Sequence, residues 1–131
     1  MKKFIVFLAF VIAGLMWFHK ELQNGEFLYF LDTHPNQFIV PAVEQWMGDG
    51  YYLFHNLSEA ATYYYRVPQY YPNTLEADDC YWGYIQTLED NSATSRPALI
   101  DAYSAYLAQF THGAHIVEAK NKLDAYKSDV R

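Results

Sequence analysis

The sequence predicts an all-α protein: an N-terminal membrane helix followed by a short solenoid of about five helices. Three observations carry this. Behind Lys2 and Lys3, the stretch from Phe4 to Phe18 contains no charge. From Phe38 onward, apolar residues recur at spacings of three and four, the period of one helix face. No segment alternates with period two for long enough to make a strand. Composition agrees: 131 residues are enough for one domain with a modest core, and 52% hydrophobic residues are too many for a disordered chain.

The N-terminal segment, residues 1 to 20, has the form of an export signal, with a basic start and an apolar run. Cleavage needs small residues just before the cut, and Trp17, Phe18, His19 and Lys20 offer none. The first reading is therefore an uncleaved signal anchor, with Lys2 and Lys3 held cytoplasmic by the positive-inside tendency. A cleaved signal peptide and a helix buried against a partner are the alternatives. Residues 21 to 37 form a linker or docking segment around "FLYFL", and Pro35-Asn36 marks a turn.

Residues 38 to 131 form the helical domain. Pro41 suits a first helical turn. Val43, Trp46, Met47, Gly50, Tyr51 and Phe54 follow at helical spacing, and His55-Asn56 ends the helix. Ser58 is the expected cap of the second helix, which carries Ala60, Ala61, Tyr64, Val67 and Tyr71. Pro68 inside it removes one backbone hydrogen bond. Pro72-Asn73 breaks the chain, and Thr74 is the expected cap of the third helix. Glu76, Asp78 and Asp79 lie in its first turns, where the helix dipole favours negative charge. Tyr81, Trp82, Ile85 and Leu88 follow. After the polar "EDNSATS", Ser95 caps a fourth helix with Pro97 near its start, then Leu99, Ala102, Tyr103, Tyr106, Leu107 and Phe110. The fifth, from about Ala114 to Tyr126, places Ile116, Ala119, Leu123 and Tyr126 on one stripe.

Charge narrows the function classes. Net charge is −6, and from Glu21 to Glu118 thirteen acidic residues face only Arg66 and Arg96. That surface is wrong for phosphate backbones, so no nucleic acid is expected as a partner. The single cysteine, Cys80, permits no internal disulfide and reads as a small buried hydrophobe. His112 and His115 in "HGAH" lack the further ligands that zinc needs. Asp78-Asp79 reads as a helix N-terminal charge pair. No nucleophile–base set and no Gly-rich phosphate loop occur, so neither an enzyme, a cofactor, a metal nor a small-molecule substrate is expected.

Two segments repeat. "QWMGDGYYLFHNLSEAATYYYRVPQYYPN" aligns with "CYWGYIQTLEDNSATSRPALIDAYSAYLAQFTHG". Gly48 matches Gly83 at a spacing of 35, and Tyr64 matches Tyr103 at 39; the extra four residues fall in the second hairpin's turn. On these residues the chain resembles the tetratricopeptide repeat (TPR) family, a helix–turn–helix unit of about 34 residues. Met47-Gly48, Tyr51, Ala60, Tyr64 and Pro72 match its pattern in the first unit. Trp82-Gly83 and Tyr103 match in the second, while Leu99 and Thr111 depart from it. The run "YPNTLEADDCYWGYI" is similar to bacterial periplasmic TolA-binding and outer-membrane-assembly-lipoprotein repeats.

The resemblance implies two repeats and a closing helix, packed through Gly48, Tyr51, Ala60, Tyr64, Pro72, Gly83 and Tyr103. It implies a protein-binding groove on Gln45, Asp49, Tyr52 and Leu53 of one unit and Cys80, Tyr84, Thr87 and Leu88 of the next. The function it implies is a non-enzymatic, membrane-anchored adaptor that binds protein in an envelope complex. The expected location is the bacterial inner membrane, single-pass, with the C-terminal domain periplasmic, or the periplasm itself after cleavage. The alternative is a small integral subunit whose membrane helix packs on its neighbours.

Overall fold

The computed structural model describes residues 2–129, with side chains from Ile5 onward. It has seven helices and, among the described residues, no strand. They fall into two compact units, residues 1–36 and 37–131.

The first unit holds α1 (Lys2–Gln23) and α2 (Glu26–Thr33). Helix α1 has 22 residues, about 33 Å at 1.5 Å per residue, which matches a hydrocarbon core of about 30 Å. Its stretch Ile5–Gln23 is long and apolar enough to cross a membrane, and none of that stretch is buried within the chain. Gly25 turns the chain between the two helices at φ +72°, a left-handed conformation that glycine adopts without a Cβ penalty. The ring of Phe18 meets that of Phe27 edge-on at 5.6 Å. The "FLYFL" segment is therefore helical, not an open linker.

The second unit holds α3 (Val40–Leu53), α4 (Leu57–Tyr70), α5 (Glu76–Asp90), α6 (Arg96–Gln109) and α7 (Ile116–Ser128). Helix α4 packs on both α3 and α5, α6 packs on both α5 and α7, and α3 also touches α5. Pro41 stands in the first turn of α3, where its missing N–H costs nothing. The caps differ in part from expectation. Asn56, not Ser58, caps α4 by accepting from the Glu59 N–H at 3.4 Å. Thr74 turns its hydroxyl back to donate to the Tyr71 carbonyl at 2.8 Å, so it closes the turn instead of capping α5. Ser95 caps α6 as expected, accepting from the Ala98 N–H at 3.4 Å. Helix α4 runs through Pro68 to Tyr70.

Tyr64 centres the first half of this unit. An ideal Cβ at Gly48 would lie 2.6 Å from its ring, and one at Gly83 would lie 2.9 Å from it. One phenol therefore lies between the backbones of α3 and α5, and only glycine leaves room on either side. Ala60 on α4 is fully buried in the same cluster with Val67, Ala77 and Cys80. Gly83 thus serves the Tyr64 ring of α4, while Tyr103 meets Trp82 at 6.0 Å and stacks on Tyr126. Tyr51 stacks on Tyr63 at 5.6 Å, which buries Tyr63. Pro72 stands exposed in the turn after α4.

Polar ties cross the same interfaces. Glu44, fully buried on α3, accepts from Arg66 Nε on α4 at 2.7 Å. Glu89 on α5 accepts from Tyr103 at 2.7 Å, Tyr126 at 2.9 Å and Lys122 at 3.2 Å, gathering α5, α6 and α7. Arg96, at the start of α6, donates to the Tyr126 carbonyl, satisfying an acceptor that the end of α7 leaves open.

Candidate functional site

The face expected to bind protein is built from α3 and α5, which lie against each other. Its parts separate in the structure. Gln45 and Tyr52 are half-buried on α3, and Asp49 and Leu53 are exposed. Asp49 is engaged from within, accepting the Tyr64 hydroxyl at 2.6 Å. Tyr52 donates to Asp90 near the end of α5 and so bridges the two helices.

On α5 the expected lining turns inward. Cys80 is fully buried beside Tyr64, and Thr87 is 1% exposed, its hydroxyl donating to the Tyr84 carbonyl at 2.6 Å. Neither presents a surface to a ligand, because this stripe of α5 fills the interior against α3 and α4. Burial also pushes the Cys80 thiol well above its ordinary range, with Asp49 and Asp79 adding to the effect, so it is no thiolate nucleophile. Tyr84 joins Tyr65 of α4 at 4.6 Å and Tyr81 at 5.9 Å. Leu88 is half-buried against the cluster of Tyr81, Ile85 and Tyr103. The exposed or half-buried remainder is Gln45, Asp49, Tyr52, Leu53, Tyr84 and Leu88, to which the fold adds Asp90. Tyr52 and Asp90 stand 38 residues apart, close to the repeat spacing; that near-coincidence was the available signal for Asp90.

Asp78, Asp79 and His115 form a latch between α5 and the α6–α7 turn. Asp78 accepts the Tyr106 hydroxyl at 2.5 Å through one oxygen and the Ala114 N–H at 2.7 Å through the other. The Tyr106 oxygen in turn accepts the His115 N–H at 3.1 Å. A Cβ at Gly113 would come within 2.6 Å of that oxygen, so glycine is required there. The His115 ring lies parallel on Trp82 at 4.5 Å, with Asp79 at 3.5 Å. These contacts join the α6–α7 turn to α5. Among the described residues, no three His, Cys, Asp or Glu side chains gather as a metal site.

A cleft of about 340 Å³ lies between Gln37-Phe38 and the turn Asn73–Glu76. It is open, and Glu76 is its one ionisable side chain, so it holds no acid–base pair. No protein-family model, no curated protein and no solved structure matches this chain.

Proposed function

We propose that the protein is a non-enzymatic, membrane-anchored adaptor of TPR type that binds a protein partner in a bacterial envelope complex. In this reading α1 anchors it in the inner membrane, residues 38 to 131 lie in the periplasm, and no nucleic acid, cofactor or small substrate takes part. The observation that carries it is the linear contact order of α3 to α7. Each second helix of a pair rests on both neighbours, and the first helices of successive pairs touch, as in stacked helical repeats. The fit of one Tyr64 ring between Gly48 and Gly83 supports the same repeat frame. The binding face is Gln45 and Tyr52 of α3 with Asp90 of α5.

The test places a photo-crosslinking amino acid at Gln45 or Asp90, and at Lys120 or Lys127 on α7 as controls, in native membranes. A discrete heterologous adduct from the first set alone is expected. Equal labelling from both sets, or none, removes the assignment. A second reading, a small integral subunit, draws on the wholly uncovered apolar stretch of α1. Adducts from α1 positions to a transmembrane neighbour, with none from α3, would favour it.

A further inference from the structure

The two ends of the helical unit differ in chemistry. The outward face of α7 carries Glu118, Lys120, Asn121, Asp124 and Lys127 with one large apolar residue, Val117, a mostly polar surface suited to closing an array. At the other end, from residue 38 to residue 54, the exposed residues are Phe38, Ile39, Trp46, Asp49, Leu53 and Phe54. Five of the six are large and apolar. Trp46 is 71% exposed, Leu53 80% and Ile39 61%. The one charge, Asp49, already accepts from Tyr64.

The apolar residues are also arranged symmetrically. Ile39 precedes Trp46 by seven residues and Leu53 follows it by seven; Phe38 and Phe54 stand eight away on each side. Residues seven apart share a helix face, so Ile39, Trp46 and Leu53 form one stripe about 21 Å long. A two-fold axis through Trp46 sets Ile39 of one chain against Leu53 of another, and Trp46 against Trp46. That is the self-complementarity an isologous contact requires.

We propose that this face of α3 binds a second copy of the chain, the two α3 helices running antiparallel about a two-fold axis at Trp46. Charge favours this face over the acidic surfaces. At net charge −6, contact between two copies through exposed carboxylates such as Asp79, Asp90 and Asp101 brings like charges together, whereas this stripe is apolar except for an aspartate already hydrogen-bonded. One helix pair buries less than the roughly 800 Å² per partner of a standard interface. Confinement of both copies to one membrane raises their effective concentration and offsets the small area. The dimer rests on the anchor reading for its strength, but not on the adaptor's partner.

The test uses the full chain reconstituted in liposomes. The native Cys80 is fully buried and does not interfere. Under mild oxidation Trp46→Cys is expected to give a disulfide-linked dimer, and Val117→Cys, 74% exposed on α7, is not. Ile39→Cys mixed with Leu53→Cys is expected to crosslink, while each alone is not, since two copies of Ile39 lie about 21 Å apart across the axis. Trp46→Asp is expected to raise the protein density needed for energy transfer between labelled copies at least tenfold, with unchanged helical circular dichroism. Equal crosslinking at positions 46 and 117, self-crosslinking of Ile39→Cys without the mixed product, or an unshifted Trp46→Asp curve would each overturn the proposal. The last of these would mean that α1 alone pairs the chains.

Discussion

Substituting Gly48 by alanine tests the packing of Tyr64 directly. A Cβ at residue 48 would fall 2.6 Å from two ring carbons, closer than real contacts occur. The ring cannot swing away, because Gly83 holds its far side and its hydroxyl is tied to Asp49. Overpacking of this kind costs about 1–3 kcal/mol. Alanine in place of glycine in a helix returns about 1 kcal/mol, so the net loss is about 0–2 kcal/mol and the clash is partly hidden. Gly50 removes the ambiguity. It lies in the same helix two residues on, and a Cβ there meets nothing within 4 Å. Gly50→Ala therefore gains the propensity term alone, and the gap between the two variants is the clash, about 1–3 kcal/mol. For a unit of this size each kcal/mol moves the midpoint by about 4–8 °C. Thermal and urea unfolding of the full chain in mild detergent, followed by circular dichroism, reads the gap. Gly48→Ala as stable as Gly50→Ala would refute the reasoning. A Tyr64→Ala background should abolish the gap between them.

Three further outcomes are expected. Arg66→Ala removes the Nε donor from the buried Glu44 carboxyl, and should cost about 1–3 kcal/mol in urea unfolding. Tyr106→Phe takes the donor from Asp78 and the acceptor from the His115 N–H; a loss of about 1–3 kcal/mol is expected, with hydrogen exchange quickened at residues 113–115 first. Burial disfavours charge on Glu89, but hydrogen bonds from Tyr103, Tyr126 and Lys122 outweigh it and hold its carboxyl below the usual carboxylate range. A lowered folded value means that its contribution is present above the ordinary carboxylate range. It is lost as pH falls through the folded value. Glu89→Gln should flatten the fall of the unfolding midpoint on the acid side below about pH 4.5, and an unchanged acid slope would count against it.

Helices α3 to α7 were legible because each buries one stripe, and a stripe repeats at three and four whatever covers it. The roles of Gly48 and Gly83 were less legible: both make room for the one ring of Tyr64, whereas Tyr103 packs on Trp82, which depends on how α3, α4 and α5 meet. So was the lining of the binding face. Which stripe of α5 turns inward depends on how α3 sits against it, a tertiary fact, and Cys80 and Thr87 go with the buried side. Tyr63 shows the same limit. It lies off the expected stripe of α4 but is buried because Tyr51 stacks on it. The acidic excess and the abundance of tyrosine read as two separate compositional facts. In the fold they are coupled, since Asp49, Asp78, Glu89 and Asp90 each accept a phenolic hydrogen.

The seat of Tyr64 also bears on motion. A buried phenol rotates about its axis only when its walls retreat, and here the walls are two helix backbones instead of side chains that swap rotamers. Rotation of this ring therefore waits for α3 and α5 to part together. Its two edges are distinguishable only while the repeat stays shut, which makes the ring an internal clock for the breathing of the array.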